Sequence, residues 1–199
     1  MPILQITSFP ASDAFIATPD IFKAPIDVIK SAEGYKSSFY GLQIEDKKTG
    51  YFISVWESYE LRQKFLADPR AAGLVEKLKP AVAGKLERHH IDVSGDPTAA
   101  FSSPVVSITV LTLKSDAAPE KLAALLEELE KGARTTAGAR AIMWGQSLED
   151  KNNFLLIGGW DSLEAHQEAI KGGAQLATTS QVRALVDASV GHSALKKHE

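Results

Sequence analysis

Short stretches of the chain alternate between apolar and polar residues, which is the pattern of half-buried β-strands. Residues 3–7 and residues 106–113 both alternate in this way. Elsewhere apolar residues recur at the spacing of one helix face, most clearly after Pro119: Leu122, Leu125, Leu126 and Leu129. This spacing is that of an amphipathic helix with one buried stripe. Each half of the chain is therefore predicted to begin with a strand and to continue into a helix.

One long segment of the chain occurs twice. Residues 40–66 align without a gap with residues 144–170, at an offset of 104 positions. Identical pairs of sparse residue types include Gly41 with Gly145, Trp56 with Trp160, Ser58 with Ser162, and Gln63 with Gln167. An internal repeat of this kind determines the architecture of the fold. The sequence therefore predicts two similar halves.

Each half is predicted to have the element order β-α-β-β-α-β. Hairpin turns are expected at residues 45–50 and 149–153, and Ser58 and Ser162 are expected to cap the helices that follow the third strands. This order is that of the ferredoxin-like split arrangement. The fold class is therefore predicted to be α+β, with two tandem ferredoxin-like repeats that form an intrachain dimeric α/β barrel.

The predicted domain limits follow from the repeat. The first ferredoxin-like half spans residues 1–92, and the second spans residues 105–199. Residues 93–104 between them are rich in Ser, Gly, Asp, Pro and Ala without periodicity, as expected of a linker.

Composition narrows the classes of function. The chain has 199 residues with a net charge of −3, which gives no reason to expect a nucleic-acid or membrane partner. It has no cysteine, so a disulfide, a thiolate metal ligand and a cysteine nucleophile are excluded. Neither a signal peptide nor an apolar run near the roughly 18 residues of a membrane span is visible. We therefore expect a soluble cytoplasmic protein.

The ends of the third strands resemble those of a known group of proteins. Residues 55–58 have the sequence Val-Trp-Glu-Ser, and residues 159–162 have the sequence Gly-Trp-Asp-Ser, followed by Leu-Glu-Ala-His-Gln. With the order of elements, these residues resemble the dimeric α/β-barrel superfamily, in particular its antibiotic-biosynthesis-monooxygenase-like (ABM-like) and stress-responsive A/B-barrel members. Most members are single repeats that dimerise through their sheets. This chain resembles a fused tandem version, and a homodimer of the pseudo-dimeric chain is left open.

The resemblance implies a small hydrophobic molecule as partner and leaves three functions open, because fold alone does not choose among them. The first is an enzyme that needs no cofactor and acts on a hydrophobic or aromatic, polyketide-like metabolite, as an oxygenase, a cyclase or an isomerase/lyase. The second is a non-catalytic stress-responsive A/B-barrel protein that binds a small ligand or assembles. The third is a haem-binding protein, since haem-degrading relatives use a helix His together with a Trp and an Asn, of which the Asn has no assigned position in this sequence.

His166 is the candidate catalytic residue. It lies six residues after Trp160 on a predicted helix, where the first half has Arg62. Arg62 stands among apolar residues, so His166 is expected to face inward or to skirt the rim of a cavity. An imidazole titrates near neutral pH and can move a proton. The alternative is a partly buried structural histidine.

Five residues are candidates for substrate binding: Trp144, Trp160, Tyr40, Arg62 and His89. Aromatic side chains can stack on a flat ligand, and a Tyr hydroxyl can donate to a carbonyl, although core residues would show the same pattern. Gly158 and Gly159 leave side-chain room that Ser54 and Val55 do not, which indicates either a closely approaching backbone or an adjacent pocket. The enzyme hypothesis expects this room to shape a pocket in the second half.

No metal site is predicted. His89 and His90 are adjacent in a strand and therefore point to opposite faces. No pair of histidines has helical i, i+4 spacing with a nearby carboxylate, so a zinc site has no support. His192 and His198, near the C-terminus, are expected to be solvated.

Overall fold

The computed structural model describes residues 2–93, 97–172 and 175–198 of the chain. Contacts divide these residues into two compact units. Unit 1 comprises the described part of Met1–Gly95 with that of Leu195–Glu199, and unit 2 the described part of Asp96–Ala194. The domain limits at residues 1–92, 93–104 and 105–199 stay a prediction.

The elements of unit 1 follow the order βαββαβ, and each helical position of this order is taken by two helices. Its elements are β1 (Ile3–Pro10), α1 (Asp13–Ala17), α2 (Lys23–Lys30), β2 (Tyr35–Leu42), β3 (Thr49–Trp56), α3 (Tyr59–Leu66), α4 (Arg70–Leu78) and β4 (Glu87–Asp92). Helix α2 starts late, after a 3₁₀ turn at Pro19–Phe22, with Pro25 in its first turn where the missing N–H is tolerated.

Unit 2 repeats the series after one additional short helix. Its elements are α5 (Thr98–Phe101), β5 (Val105–Leu113), α6 (Pro119–Gly132), β6 (Ala139–Gln146), β7 (Asn153–Trp160), α7 (Leu163–Lys171), α8 (Leu176–Leu185) and β8 (Val186–Ser193). Helix α5 lies in the predicted linker, and its Phe101 is buried.

The strand orders β4-β1-β3-β2 and β8-β5-β7-β6 are the same in the two units, and every strand pair is antiparallel. The predicted α+β class with two tandem ferredoxin-like repeats is therefore confirmed. None of the helices in the described ranges is long and apolar enough to cross a membrane.

The last strand of the chain, β9 (Lys196–Lys197), pairs with β2 at the edge of the unit 1 sheet. The neighbouring His198 donates its backbone N–H to the carbonyl of Ser38 at 2.9 Å. Its side chain is 6% exposed and lies 3.0 Å from a carboxylate oxygen of Asp27. The prediction that His198 is solvated was wrong, because the segment continues the sheet instead of ending in solvent.

The pairing of the first and third strands shows that the two repeats do not correspond at one constant offset in residue number. The third strands and the helices after them correspond at an offset of 104, but β1 and β5 correspond at 102. Gln5 of β1 therefore occupies the position of Ser107 of β5. Across the sheet, His90 lies opposite Gln5, and His192 lies opposite Ser107, so these histidines also correspond.

The two units have different cores. In unit 1 the rings of Phe9, Phe15, Phe22 and Phe52 form a buried cluster, with centroids 5.1 to 5.5 Å apart. In unit 2 helix α6 instead contributes the predicted leucine stripe to an aliphatic core. The unit 2 core is therefore mainly aliphatic, whereas the unit 1 core is rich in aromatic rings.

Candidate functional site

A short connection from β7 to α7 positions His166. Trp160 ends β7, and Ser162 has an extended backbone and accepts a hydrogen bond from the N–H of Ala165 at 3.1 Å. This is the predicted N-cap, which fixes where the helix begins. His166 therefore lies in the first turn of α7, with its ring centroid 4.5 Å from that of Trp160. The side chain of His166 is 9% exposed.

His166 is in direct contact with a second buried histidine. Its Nδ1 lies 2.6 Å from Nε2 of His192 on β8, and the centroids of the two rings are 4.9 Å apart. His192 is 6% exposed, so the prediction that it is solvated was wrong. His192 lies on the edge strand β8 and pairs with Ser107 of the neighbouring strand β5.

Burial and the second histidine act together on the protonation of His166. Desolvation, followed by the neighbouring charge of His192, lowers the pKa of His166 to about 4. The imidazole of His166 is therefore neutral near pH 7. Because a hydrogen bond between two imidazole nitrogens needs one N–H and one lone pair, the ring that donates leaves the other ring to accept.

A buried serine fixes the tryptophan against which His166 packs. Nε1 of Trp160 donates to Oγ of Ser107 at 3.0 Å. A Cβ atom on Gly158 would collide with Trp160 Nε1 and would lie 2.7 Å from Ser107 Oγ. A Cβ atom on Gly159 would lie 2.8 Å from the Cα of Ala100 on α5. The interpretation of these glycines as pocket space is corrected: neighbouring groups already occupy it.

The cavity of unit 2 lies next to this histidine pair. It has a volume of about 150 Å³, and Trp160 and His166 are among the side chains that line it. Most of the other lining side chains are aliphatic, including Leu111, Leu129, Ile142, Leu156, Val182 and Val186. A dry cavity of about this volume can hold a benzene ring. The cavity therefore suits an apolar ring that contacts His166.

A wider surface groove adjoins the cavity. It has a volume of about 570 Å³ and shares Thr136, Ala169 and Gln175 with the cavity lining. Asp161 and Glu168 also line the groove. The two spaces give unit 2 an apolar inner part and a more polar outer part.

The other predicted site residues do not join this cavity. Trp144 packs on Phe154 beside the aliphatic core, with ring centroids 6.2 Å apart. Tyr40, in unit 1, donates its hydroxyl to Asp20 at 3.0 Å, and burial together with that carboxylate raises the pKa of Tyr40 to about 12. His89 is half-buried on β4. Their roles in substrate binding stay predictions.

Arg62 lines a separate cavity within unit 1. Two of the residues predicted from the sequence, His166 and Trp160, therefore line one cavity. Their neighbours His192 and Ser107 were not predicted as site residues. One signal could have identified His192: at an offset of 102, it aligns with His90. Within the described ranges, no group of three or more His, Cys, Asp or Glu side chains is arranged to hold a metal ion.

One family model matches part of the chain, within unit 2. Residues 104–179 match the model of the antibiotic biosynthesis monooxygenase family. The matched segment contains Ser107, Trp160 and His166. It ends before His192. No curated protein matches the chain.

Solved structures share the tandem fold over the whole chain. A putative monooxygenase from Fusobacterium nucleatum superimposes with a TM-score of 0.76 at 13% identity, over 100% of this chain and 94% of that one. A putative monooxygenase from Lactobacillus acidophilus has a TM-score of 0.69 at 17% identity over the same shares. An anthrone oxidase-like protein has a TM-score of 0.72 at 14% identity, over 99% and 93% of the two chains. At these identities the likeness is one of fold.

Proposed function

We propose, from the premise that residues 104–179 form an antibiotic biosynthesis monooxygenase domain, that unit 2 oxygenates a small hydrophobic aromatic molecule without a bound cofactor. The observation that carries the proposal is the position of His166, whose buried side chain pairs with His192 and lines the apolar cavity. A neutral imidazole at the wall of an apolar cavity is suited to proton transfer with a bound ring. Unit 1 has no equivalent histidine pair, because Arg62 replaces His166.

The shape of the site suggests how such a substrate would bind. The cavity of about 150 Å³ would take one ring, and the adjoining groove of about 570 Å³ would hold the remainder of a polycyclic molecule. Aliphatic walls would favour the ring over water. Trp160 would contact the ring at the end next to His166.

His166 acts as the base in the proposed mechanism, and His192 orients it. In the tautomer that this requires, Nδ1–H of His166 donates to Nε2 of His192, which leaves the lone pair on Nε2 of His166 for a proton of the substrate. When Nε2 gains that proton, the Nδ1–H bond to His192 stabilises the imidazolium. A base held in place by a third group is a recurrent arrangement in proton-transfer sites.

The proposed reaction converts an activated methylene flanked by aromatic rings to a carbonyl. His166 removes one proton, and the resulting carbanion reacts with O₂. The methylene carbon loses two hydrogen atoms and gains one oxygen atom, and the second oxygen atom leaves as water. One O₂ is therefore consumed per substrate, with no other oxidant. Anthrone is the first substrate to test, since one structure with this fold is described as anthrone oxidase-like.

The test measures O₂ uptake and carbonyl product from anthrone with the purified full chain, with and without a metal chelator. We expect chelator-insensitive turnover, and a loss of at least about 100-fold in His166→Gln, which matches a typical contribution of general base catalysis. Gln167→Ala is the control, because Gln167 is exposed on the same helix. Turnover that persists unchanged in His166→Gln would reject His166 as the base.

Binding of aromatic ligands without turnover would favour the non-catalytic, ligand-binding alternative. The structure offers that alternative less support, because the cavity is open and His166 bonds to a side chain instead of the backbone. For the haem alternative, the inner cavity is smaller than the roughly 300–1,000 Å³ of pockets for drug-sized ligands. A haemin titration in which a Soret band shifts in wild type and not in His166→Gln would revive it.

A further inference from the structure

Arg62 of α3 carries a buried positive charge with an incomplete set of partners. Its side chain is 3% exposed, and its Nε donates to Oε1 of Gln5 at 2.6 Å. The guanidinium carbon lies 5.3 Å from the ring centroid of Trp56 and 5.8 Å from that of Phe65. Within the part of the chain that the structure describes, Nη1 of Arg62 is buried and has no hydrogen-bond partner.

This charge persists at neutral pH. Burial, followed by the proximity of Arg88, lowers the pKa of Arg62 to about 10, which still leaves the guanidinium protonated near pH 7. No carboxylate of the described residues forms an ion pair with Arg62. A buried charge without a counter-charge is costly, and the aromatic rings and one amide oxygen compensate for it only in part.

A small cavity adjoins the guanidinium group. Its volume is about 30 Å³, enough for one or two water-sized groups. Arg62 and Arg88 line it together with the polar side chains of Gln5, Thr7 and Ser54, and none of its lining residues is acidic. The cavity thus combines two positive charges, hydrogen-bonding groups and a size that admits only a small ion or group.

We infer that this cavity of the first repeat binds a small monovalent anion, either a halide or the carboxylate of a short acid such as formate. Nη1 of Arg62 donates to the anion, which supplies the counter-charge that the protein lacks at this position. Arg88, which is exposed at the cavity, contributes the second positive charge. Arginine is the residue of choice for buried ion pairs, and its guanidinium group matches the geometry of a carboxylate.

The described residues of the second repeat, 105–172 and 175–198, form no such site, although the elements are equivalent. His166 replaces Arg62, and Ser107 replaces Gln5, so the second repeat has a buried pair of imidazoles beside an apolar cavity of about 150 Å³. The two repeats therefore select ligands of different chemistry at corresponding positions. This inference does not depend on the proposed oxygenase activity.

The first test is the ³⁵Cl NMR line width of chloride with the full chain. We expect the wild type to broaden the line, and formate to reverse the broadening by competition. Arg62→Met should lose at least about 80% of the excess line width, because it removes the donor while keeping an apolar side chain of similar length. Arg140→Met is the matched control, since Arg140 is an exposed arginine of unit 2 that pairs with Asp161.

The second test measures the midpoint of thermal unfolding, with sodium gluconate replaced stepwise by sodium chloride or formate at constant ionic strength. Gluconate is too large for the cavity. We expect a saturable rise of about 5 °C at 100-fold excess over Kd. Arg88→Gln should weaken this response several-fold. It serves as the second variant and replaces Arg62→Met if that protein does not fold. Equal midpoints in all three salts would show that water alone fills the cavity. An equal response in wild type and both variants would show that the anion acts at another position. Either result would overturn the inference.

Discussion

Trp160 and Ser107 form a hydrogen bond whose counterpart in the first repeat uses a serine from a different strand. Nε1 of Trp160 donates to Ser107 on β5 at 3.0 Å, whereas Nε1 of Trp56 donates to Ser54 on β3 at 2.9 Å. Gly158 occupies the position of Ser54 in the second repeat. A buried indole N–H needs a partner, and the two repeats supply it from adjacent strands.

This exchange predicts that Gly158→Ala destabilises unit 2. The added methyl group would collide with the Trp160 indole and crowd Ser107 Oγ. We expect a loss of about 1–3 kcal/mol in the free energy of unfolding, measured by urea denaturation, as is typical of an overpacked core.

Gly73→Ala is the control for this variant, because Gly73 lies in helix α4 with no atom within 4 Å of an added Cβ. It should stabilise the protein by about 0.5–1 kcal/mol through helix propensity. Exchanging the pair, as Ser107→Gly with Gly158→Ser, should recover part of the loss. Equal stability of Gly158→Ala and wild type would show that the strand shifts to accommodate the methyl group.

The ungapped repeat made the architecture predictable from sequence. The offset of 104 aligned the third strands, and both predicted serine caps form, because local side-chain-to-backbone bonding depends on only a few residues. The last strand of the second repeat was less predictable. Strand β8 begins at Val186 directly after helix α8, so no loop residues mark the boundary between them in the sequence.

The histidine pair was harder to predict, because it depends on the register between strands. His166 follows the offset of 104, whereas Ser107 and His192 follow the offset of 102. An alignment of the two repeats at one offset therefore does not predict that His166, Ser107 and His192 lie close together. The filled space around Gly158 was also invisible, because a missing side chain in the sequence does not reveal which neighbouring group takes its place.

The lowered pKa of His166 predicts that the free energy of unfolding decreases as the pH falls. Its pKa is about 4 in the folded state and near 6.5 in the unfolded chain. Between these values the unfolded state binds more protons, so the contribution of His166 is present above pH 6.5 and is lost as pH falls toward 4. We expect a loss of order 2 kcal/mol across this window, measured by urea unfolding at a series of pH values.

His166→Gln should show a shallower loss over the same window, since it removes the titrating group while the rest of the chain titrates as before. The informative quantity is the difference between the two curves. A constant difference from pH 7 to pH 4.5 would mean that the pKa of His166 is not lowered by folding. Proton-transfer activity should follow the same group, with a plateau near neutral pH and a decline below pH 5.

Filling the unit 2 cavity should block ligands without unfolding the protein. Ala169 lines the cavity one turn after His166 on α7. In Ala169→Phe the added ring would occupy the space of an apolar ligand. We expect the Kd for phenol, followed by ligand-observed NMR, to rise at least about tenfold, which corresponds to about 1.4 kcal/mol.

Gln167→Phe places the same ring on the exposed side of the same helix and serves as the control for phenol binding. It should leave the Kd within about twofold of the wild-type value. If both variants bind phenol as wild type does, the cavity is not the binding site. If both weaken binding equally, the effect arises from the helix as a whole.

Residues 196–198, which include strand β9, are expected to protect an edge of the unit 1 sheet. Deleting residues 195–199 would remove the pairing with β2, the backbone bond from His198 to Ser38, and the contact of His198 with Asp27. Each lost backbone bond is worth about 0.5–1.5 kcal/mol, and an uncovered edge strand favours association. We expect faster amide hydrogen exchange in β2 by mass spectrometry, and a concentration-dependent oligomer by size-exclusion chromatography. His198→Ala should speed exchange less, because it keeps the backbone pairing. Unchanged exchange in the truncated chain would mean that β9 adds nothing to the stability of this edge.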